Sequence, residues 1–156
     1  MKAKNLLLLI VFFVASASAA FAQKEKLEID YDKKTDVVTI NGTAVFKITK
    51  DARASGITYT VQSLEGNTLI IFSPVYYKDS REITQSNPTG SQSYHDIIFL
   101  DDKELKADYE WRGMKQTAKM LYEHKLIVNG KLDMEAAKLF VRMQGTVNYE
   151  KRMTAR

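Results

Sequence analysis

The sequence predicts an α+β fold: an antiparallel sheet of about six strands followed by a C-terminal two-helix hairpin packed on it. Three observations predict this. Apolar and polar residues alternate through most of the stretch from Leu27 to Trp111, as half-buried strands require. The links between these runs are mostly short, which suits antiparallel neighbours, since parallel strands need long crossovers. After Gly113 the apolar period becomes that of a helix. Strands first and helices last is an α+β order, unlike the alternating βα order of nucleotide-binding sheets.

Leu27, Ile29 and Tyr31 alternate with Glu28, Asp30 and Asp32 in the first strand. Asp36 to Ile40 is the second. Asn41-Gly42 then turns the chain, because both residues tolerate positive φ, and Thr43 to Thr49 returns with Ala44, Phe46 and Ile48 on one face. Lys50 to Gly56 reads as a turn or loop. Ile57, Tyr59 and Val61 mark the next strand, and Glu65-Gly66-Asn67 leads into Thr68 to Phe72. The run Leu69-Ile70-Ile71-Phe72 is apolar on both faces, as in a central strand.

Ser73 to Ser93 holds both prolines and many hydroxyl and amide side chains. Within it, Val75-Tyr76-Tyr77 reads as a short strand and Lys78 to Ser93 as a long exposed loop, of the kind that is often functional or mobile. Tyr94 to Leu100 is a strand, Asp101 to Glu104 a charged turn, and Leu105, Ala107, Tyr109 and Trp111 line one face of the last strand. A first helix carries Met114, Thr117, Ala118, Leu121 and Tyr122 on one face and ends at Asn129-Gly130. Asp133 caps a second. Its expected buried stripe is Ala136, Leu139, Phe140 and Met143, and Gly145 stops it. Thr146 to Arg156 reads as a tail in which Val147 and Tyr149 dock and the rest frays.

The N-terminus reads as a secretory signal peptide over residues 1–22. Lys2 and Lys4 form the charged region, Leu6 to Val14 the apolar region, and Ala20-Phe21-Ala22 the small-x-small cleavage site. As a helix, Leu6 to Ala22 would reach only about 26 Å, short of a hydrocarbon core of ~30 Å. Cleavage near Ala22 leaves a single α+β domain over 23–145 and the tail 146–156. It also removes two lysines, so 23 basic side chains become 21 against 19 acidic ones. A net charge near +2 does not indicate a nucleic-acid surface. The expected protein is soluble, periplasmic or secreted, with no integral membrane segment after cleavage.

The chain has no cysteine. Disulfides, thiolate metal ligands, a cysteine nucleophile and a lipid-modified cysteine are therefore excluded. His95 and His124 are the only histidines and form no His-x-x-x-His pair, so no metal site is expected. Asp101-Asp102-Lys103-Glu104 lacks the spacing and glycine of a calcium loop. Gly-x-Ser-x-Gly, Ser-x-x-Lys and phosphate-loop patterns are absent, and no cofactor is implied. The remaining signal is aromatic. Tyr76, Tyr77, Tyr94, Tyr109 and Trp111 flank the long loop or lie on the strands after it. Such large, half-polar rings favour binding surfaces, though strand aromatics also serve cores and cross-strand pairs.

The signal ending Ala-Phe-Ala-Gln resembles those of exported proteins of Bacteroidota. The segment from Lys119-Met120-Leu121-Tyr122 through Asn129-Gly130-Lys131-Leu132 to Phe140 is similar to the ends of small uncharacterised exported proteins from that group. The resemblance implies a periplasmic location and no activity. The leading expectation, from the compact α+β core, the long polar loop and the aromatics beside it, is a non-enzymatic module that binds an envelope protein or small ligand. The alternatives are a hydrolase of envelope material and a structural subunit assembling through a sheet edge.

Overall fold

The computed structural model describes residues 27–155; the signal-peptide reading of residues 1–22 lies outside them. The fold is α+β, as the sequence predicts. Seven strands form one antiparallel sheet in sequence order, β1 (Ile29–Tyr31), β2 (Val37–Ile40), β3 (Thr43–Arg53), β4 (Gly56–Gln62), β5 (Thr68–Lys78), β6 (Ser91–Phe99) and β7 (Asp102–Tyr109). Three helices follow, α1 (Met114–Glu123), α2 (Met134–Gln144) and α3 (Val147–Met153). None of the described helices is long and apolar enough to cross a membrane.

The alternation read from the sequence defines the buried face. Val38, Phe46, Ile48, Tyr59, Val61, Ile70, Phe72, Ile97, Phe99, Ala107 and Tyr109 pack in one core with Ala118 and Leu121 of α1 and Ala137 and Phe140 of α2. After β7 the chain crosses this core face. Trp111 lies flat on Tyr59, ring centroids 3.5 Å apart and planes 5° from parallel. At the far side α1 meets β1, where Lys115 Nζ pairs with Asp30 at 2.8 Å. The return leg brings α2 back against β7.

Besides β7 starting at Asp102, within the expected Asp101 to Glu104 turn, five details differ from the sequence reading. β3 runs on to Arg53, so Lys50 to Arg53 is strand and the turn is short. β5 is one strand from Thr68 to Lys78 and carries Val75-Tyr76-Tyr77; Pro74 is tolerated within it because β4 pairs with β5 only as far as Phe72.

The third is the expected long loop, which shrinks to 79–90 and is built rather than loose. Asp79 is buried and holds Arg81 through its guanidinium and backbone N–H. Asn87 ties the carbonyls of Glu82 and Ser91 together. Gly90 has φ +62°, and a Cβ there would overlap the Asp79 carbonyl.

The fourth is the link between the helices. α1 ends at Glu123, and Asn129-Gly130 turns a two-stranded hairpin, β8 (Ile127–Val128) and β9 (Lys131–Leu132), before α2. Both turn residues have positive φ, 51° and 72°, the pair of values a tight hairpin turn needs. Asp133 caps α2 as expected, accepting from the N–H groups of Glu135 and Ala136, and Gly145 ends it. The buried residues of α2 are Ala137 and Phe140, however, while Leu139 and Met143 are 54% and 59% exposed. On α1, Tyr122 likewise faces solvent.

The fifth is the C-terminal segment. Val147–Met153 is helical, and its sheet-facing residues are Asn148 and Arg152, while Val147 and Tyr149 are exposed.

Candidate functional site

The sheet divides the five aromatics that the sequence singled out. Tyr76, Tyr109 and Trp111 lie on the core side of the sheet; Tyr77 and Tyr94 lie on the other, in T-shaped contact at 6.2 Å. Of the core-side group only Tyr76 is freely open, at 61% exposure. Its ring lies across Gly56, where a Cβ would come within 2.6 Å of its hydroxyl. Trp111 touches Tyr59, Phe72, Tyr109 and His95, which makes it a plug over the core as much as a surface.

His95 completes this cluster. Its Nε2–H donates to the Ile57 carbonyl at 3.3 Å, where β4 and β5 have parted. Nδ1 is buried without a partner. Burial holds the imidazole below its usual pKa, outweighing the Ile57 bond and the nearby Asp96. A neutral ring follows, acting as a structural donor. Asp96 is the next residue on β6 and points to the opposite face, so the two do not act as an acid–base pair.

A cleft of about 540 Å³ lies elsewhere: between the end of β7, the crossing segment, α1 and α3. Arg112, Gln116, Lys119, Glu123, His124 and Lys151 converge on it, with Met120, Val147 and Tyr109 as its apolar patches. The volume falls in the range of small-ligand sites. Its charged groups are loosely paired. Arg112 is 3.5 Å from Glu110 and Lys119 3.6 Å from Glu123, all with exposed side chains. Pairs of this kind are worth well under about 1 kcal/mol, so either partner is free to turn to a ligand. Lys151 makes no ion pair within 4 Å among the described residues. The cleft thus presents cations, carboxylates and amides together, which suits a polar or zwitterionic ligand.

A second cleft of about 430 Å³ adjoins the first at Glu110, Asn148 and Lys151 and reaches Tyr77, Arg81 and Gln92. Tyr77 and Tyr109 are therefore the two predicted aromatics that line clefts. Sequence reasoning missed the cleft's polar residues. The one available signal was the spacing of Gln116, Lys119 and Glu123, which puts three polar side chains along one side of α1. His124 sits at the end of α1 with its ring 5.0 Å from Phe140. Among the described residues no group of three or more His, Cys, Asp or Glu side chains is placed to hold a metal ion. Comparison with protein-family models, with curated proteins and with solved structures returned no match, so the site is read from its own geometry.

Proposed function

We propose that this chain is an exported, non-enzymatic binding module of the cell envelope, and that its ligand occupies the cleft between α1, α3 and the end of β7. The observation that carries the reading is the convergence of side chains from four parts of the fold on one 540 Å³ space. The weak pairing of the cleft's charges supports a polar ligand, either a small envelope component or a polar segment of a partner protein.

The hydrolase alternative needs two acid–base groups aimed at one point. His95 is engaged in the aromatic cluster and His124 stands against Phe140, so that reading would rest on the cleft carboxylates Glu110 and Glu123, which stand in loose ion pairs with Arg112 and Lys119. The sheet-edge alternative meets a different obstacle. β1 is three residues long and lies under α1, and the outward N–H of Asp108 on β7 donates to the Gly145 carbonyl.

The test is capture. Immobilised mature protein is incubated with periplasmic extract, and the eluate is analysed by native mass spectrometry. A defined species should be recovered by the wild type and reduced at least about tenfold by Lys119→Glu with Lys151→Glu. Those positions are exposed, so the fold should survive. Equal recovery by both proteins would remove the cleft from consideration.

A further inference from the structure

We propose that α3 is a releasable clasp, held on the sheet by the Asp108 carboxylate, and that its release opens the cleft. The effect on the cleft rests on the binding-site reading above; the clasp itself rests only on how α3 is docked.

Every described anchor of α3 is polar. Asp108 is 1% exposed. It accepts from the backbone N–H of Asn148 at 2.6 Å, from that of Tyr149 at 2.9 Å, and from Asn148 Nδ2 at 3.1 Å. Helix N-termini are normally capped by the residue just before them. Here that residue, Thr146, makes no side-chain cap, and the cap comes from 40 positions away. No residue of α3 is buried, and Val147, Tyr149 and Met153 face solvent. A helix of seven residues does not persist alone in water. Its helicity therefore depends on docking, chiefly on this carboxylate, with Arg152 near Asp96 as a second polar contact.

The surface beneath α3 does not favour closure either. Tyr94 is 2% exposed, and its Oη has no partner. Asp96 stands opposite Asp108 in the β6–β7 register, and burial holds its carboxyl above the usual range despite Arg152 and Lys106. Buried polar groups without full satisfaction gain when water reaches them. Opening admits water to both groups and gives up the three Asp108 bonds and the Arg152 attraction on Asp96, all of them polar contacts that water can replace. Because Asn148 and Lys151 line both clefts, moving α3 merges them.

Hydrogen exchange on the full mature chain, without ligand, tests this. Two variants are used: Asp108→Asn, which keeps the shape but weakens the cap, and Asn148→Ala, which lies on the helix and leaves the sheet untouched. Asp108→Asn should speed exchange of the 148–155 amides about fivefold or more, as weakening of a cap predicts, and Asn148→Ala, which removes only the Nδ2 bond and keeps both backbone donors, about twofold, while β2 to β6 amides stay unchanged. Unchanged exchange at 148–155, or acceleration only together with the sheet, would overturn the clasp. If Asp108→Asn does not fold, Asn148→Ala decides by the same two criteria. A variant that loses ligand capture with unchanged exchange would count against the clasp and leave the cleft reading standing.

Discussion

Asp96 and Asp108 occupy facing positions on β6 and β7, yet their surroundings differ. Asp108 is surrounded by N–H donors from α3. Asp96 has none of these, and desolvation dominates its titration. A carboxyl whose folded pKa is raised stabilises the fold below its unfolded value near 3.9 and loses that contribution as pH rises through the folded value. At neutral pH the charge on Asp96 is therefore a liability. Asp96→Asn should raise the denaturation midpoint at pH 7, and the gain should shrink towards zero below about pH 4. Urea titrations at both pH values check this; a variant less stable than wild type at pH 7 would mean that the Arg152 and Lys106 contacts outweigh burial. None of this was legible in the sequence. Asp108 sits where alternation puts an outward polar residue, and its partners lie 40 positions further on, beyond the reach of any local pattern.

At the scale of elements, legibility followed packing. The period-two runs located β1, β3, β4 and β7, because a half-buried strand must alternate, and the run Leu69 to Phe72, apolar on both faces, located the start of β5. They failed at strand ends such as Lys50 to Arg53, where both faces reach solvent and no pattern is imposed. The phase of α2 was misread for a physical reason. Hydrophobicity favours Leu139 and Met143, but close approach to β7 needs a small residue, and Ala137 takes that place beside Phe140. The two phases share Phe140 and differ over Leu139, which only the sequence reading buries. Phe140→Ala should cost about 3–5 kcal/mol, whereas Leu139→Lys should stay within about 0.5 kcal/mol. Comparable losses in both variants, measured by chemical denaturation, would restore the phase read from the sequence. Asn129-Gly130 was recognised as a point of positive φ but assigned to a helix end, since helix caps and hairpin turns use the same residues. Loop 79–90 was legible in composition alone, and the Asp79 and Asn87 bonds that order it were not.

For the whole molecule, the α+β class and the order of strands before helices were readable, and the cleft was not, because it arises only where β7, α1 and α3 meet. The strand ladder also bears on assembly. Beyond Ile48, the side of β3 that faces β2 has no strand partner among the described residues. Lys50, Asp51 and Arg53 guard that stretch, as charges do on natural edge strands. Light scattering over a hundredfold concentration range should accordingly report one constant mass; growth with concentration would revive assembly through this edge.

The strictly sequential sheet has a further consequence. Synthesis and export both proceed from the N-terminus, so all seven strands emerge before the first residue of α1 does. Each hairpin can zip onto the last as it emerges, yet Phe46, Ile48, Val61, Phe72 and Phe99 have nothing to cover them until Met114 to Phe140 arrive. A growing chain is at its stickiest near Trp111, about thirty residues short of closure, and that is the length at which a holding chaperone has most to gain from engaging it.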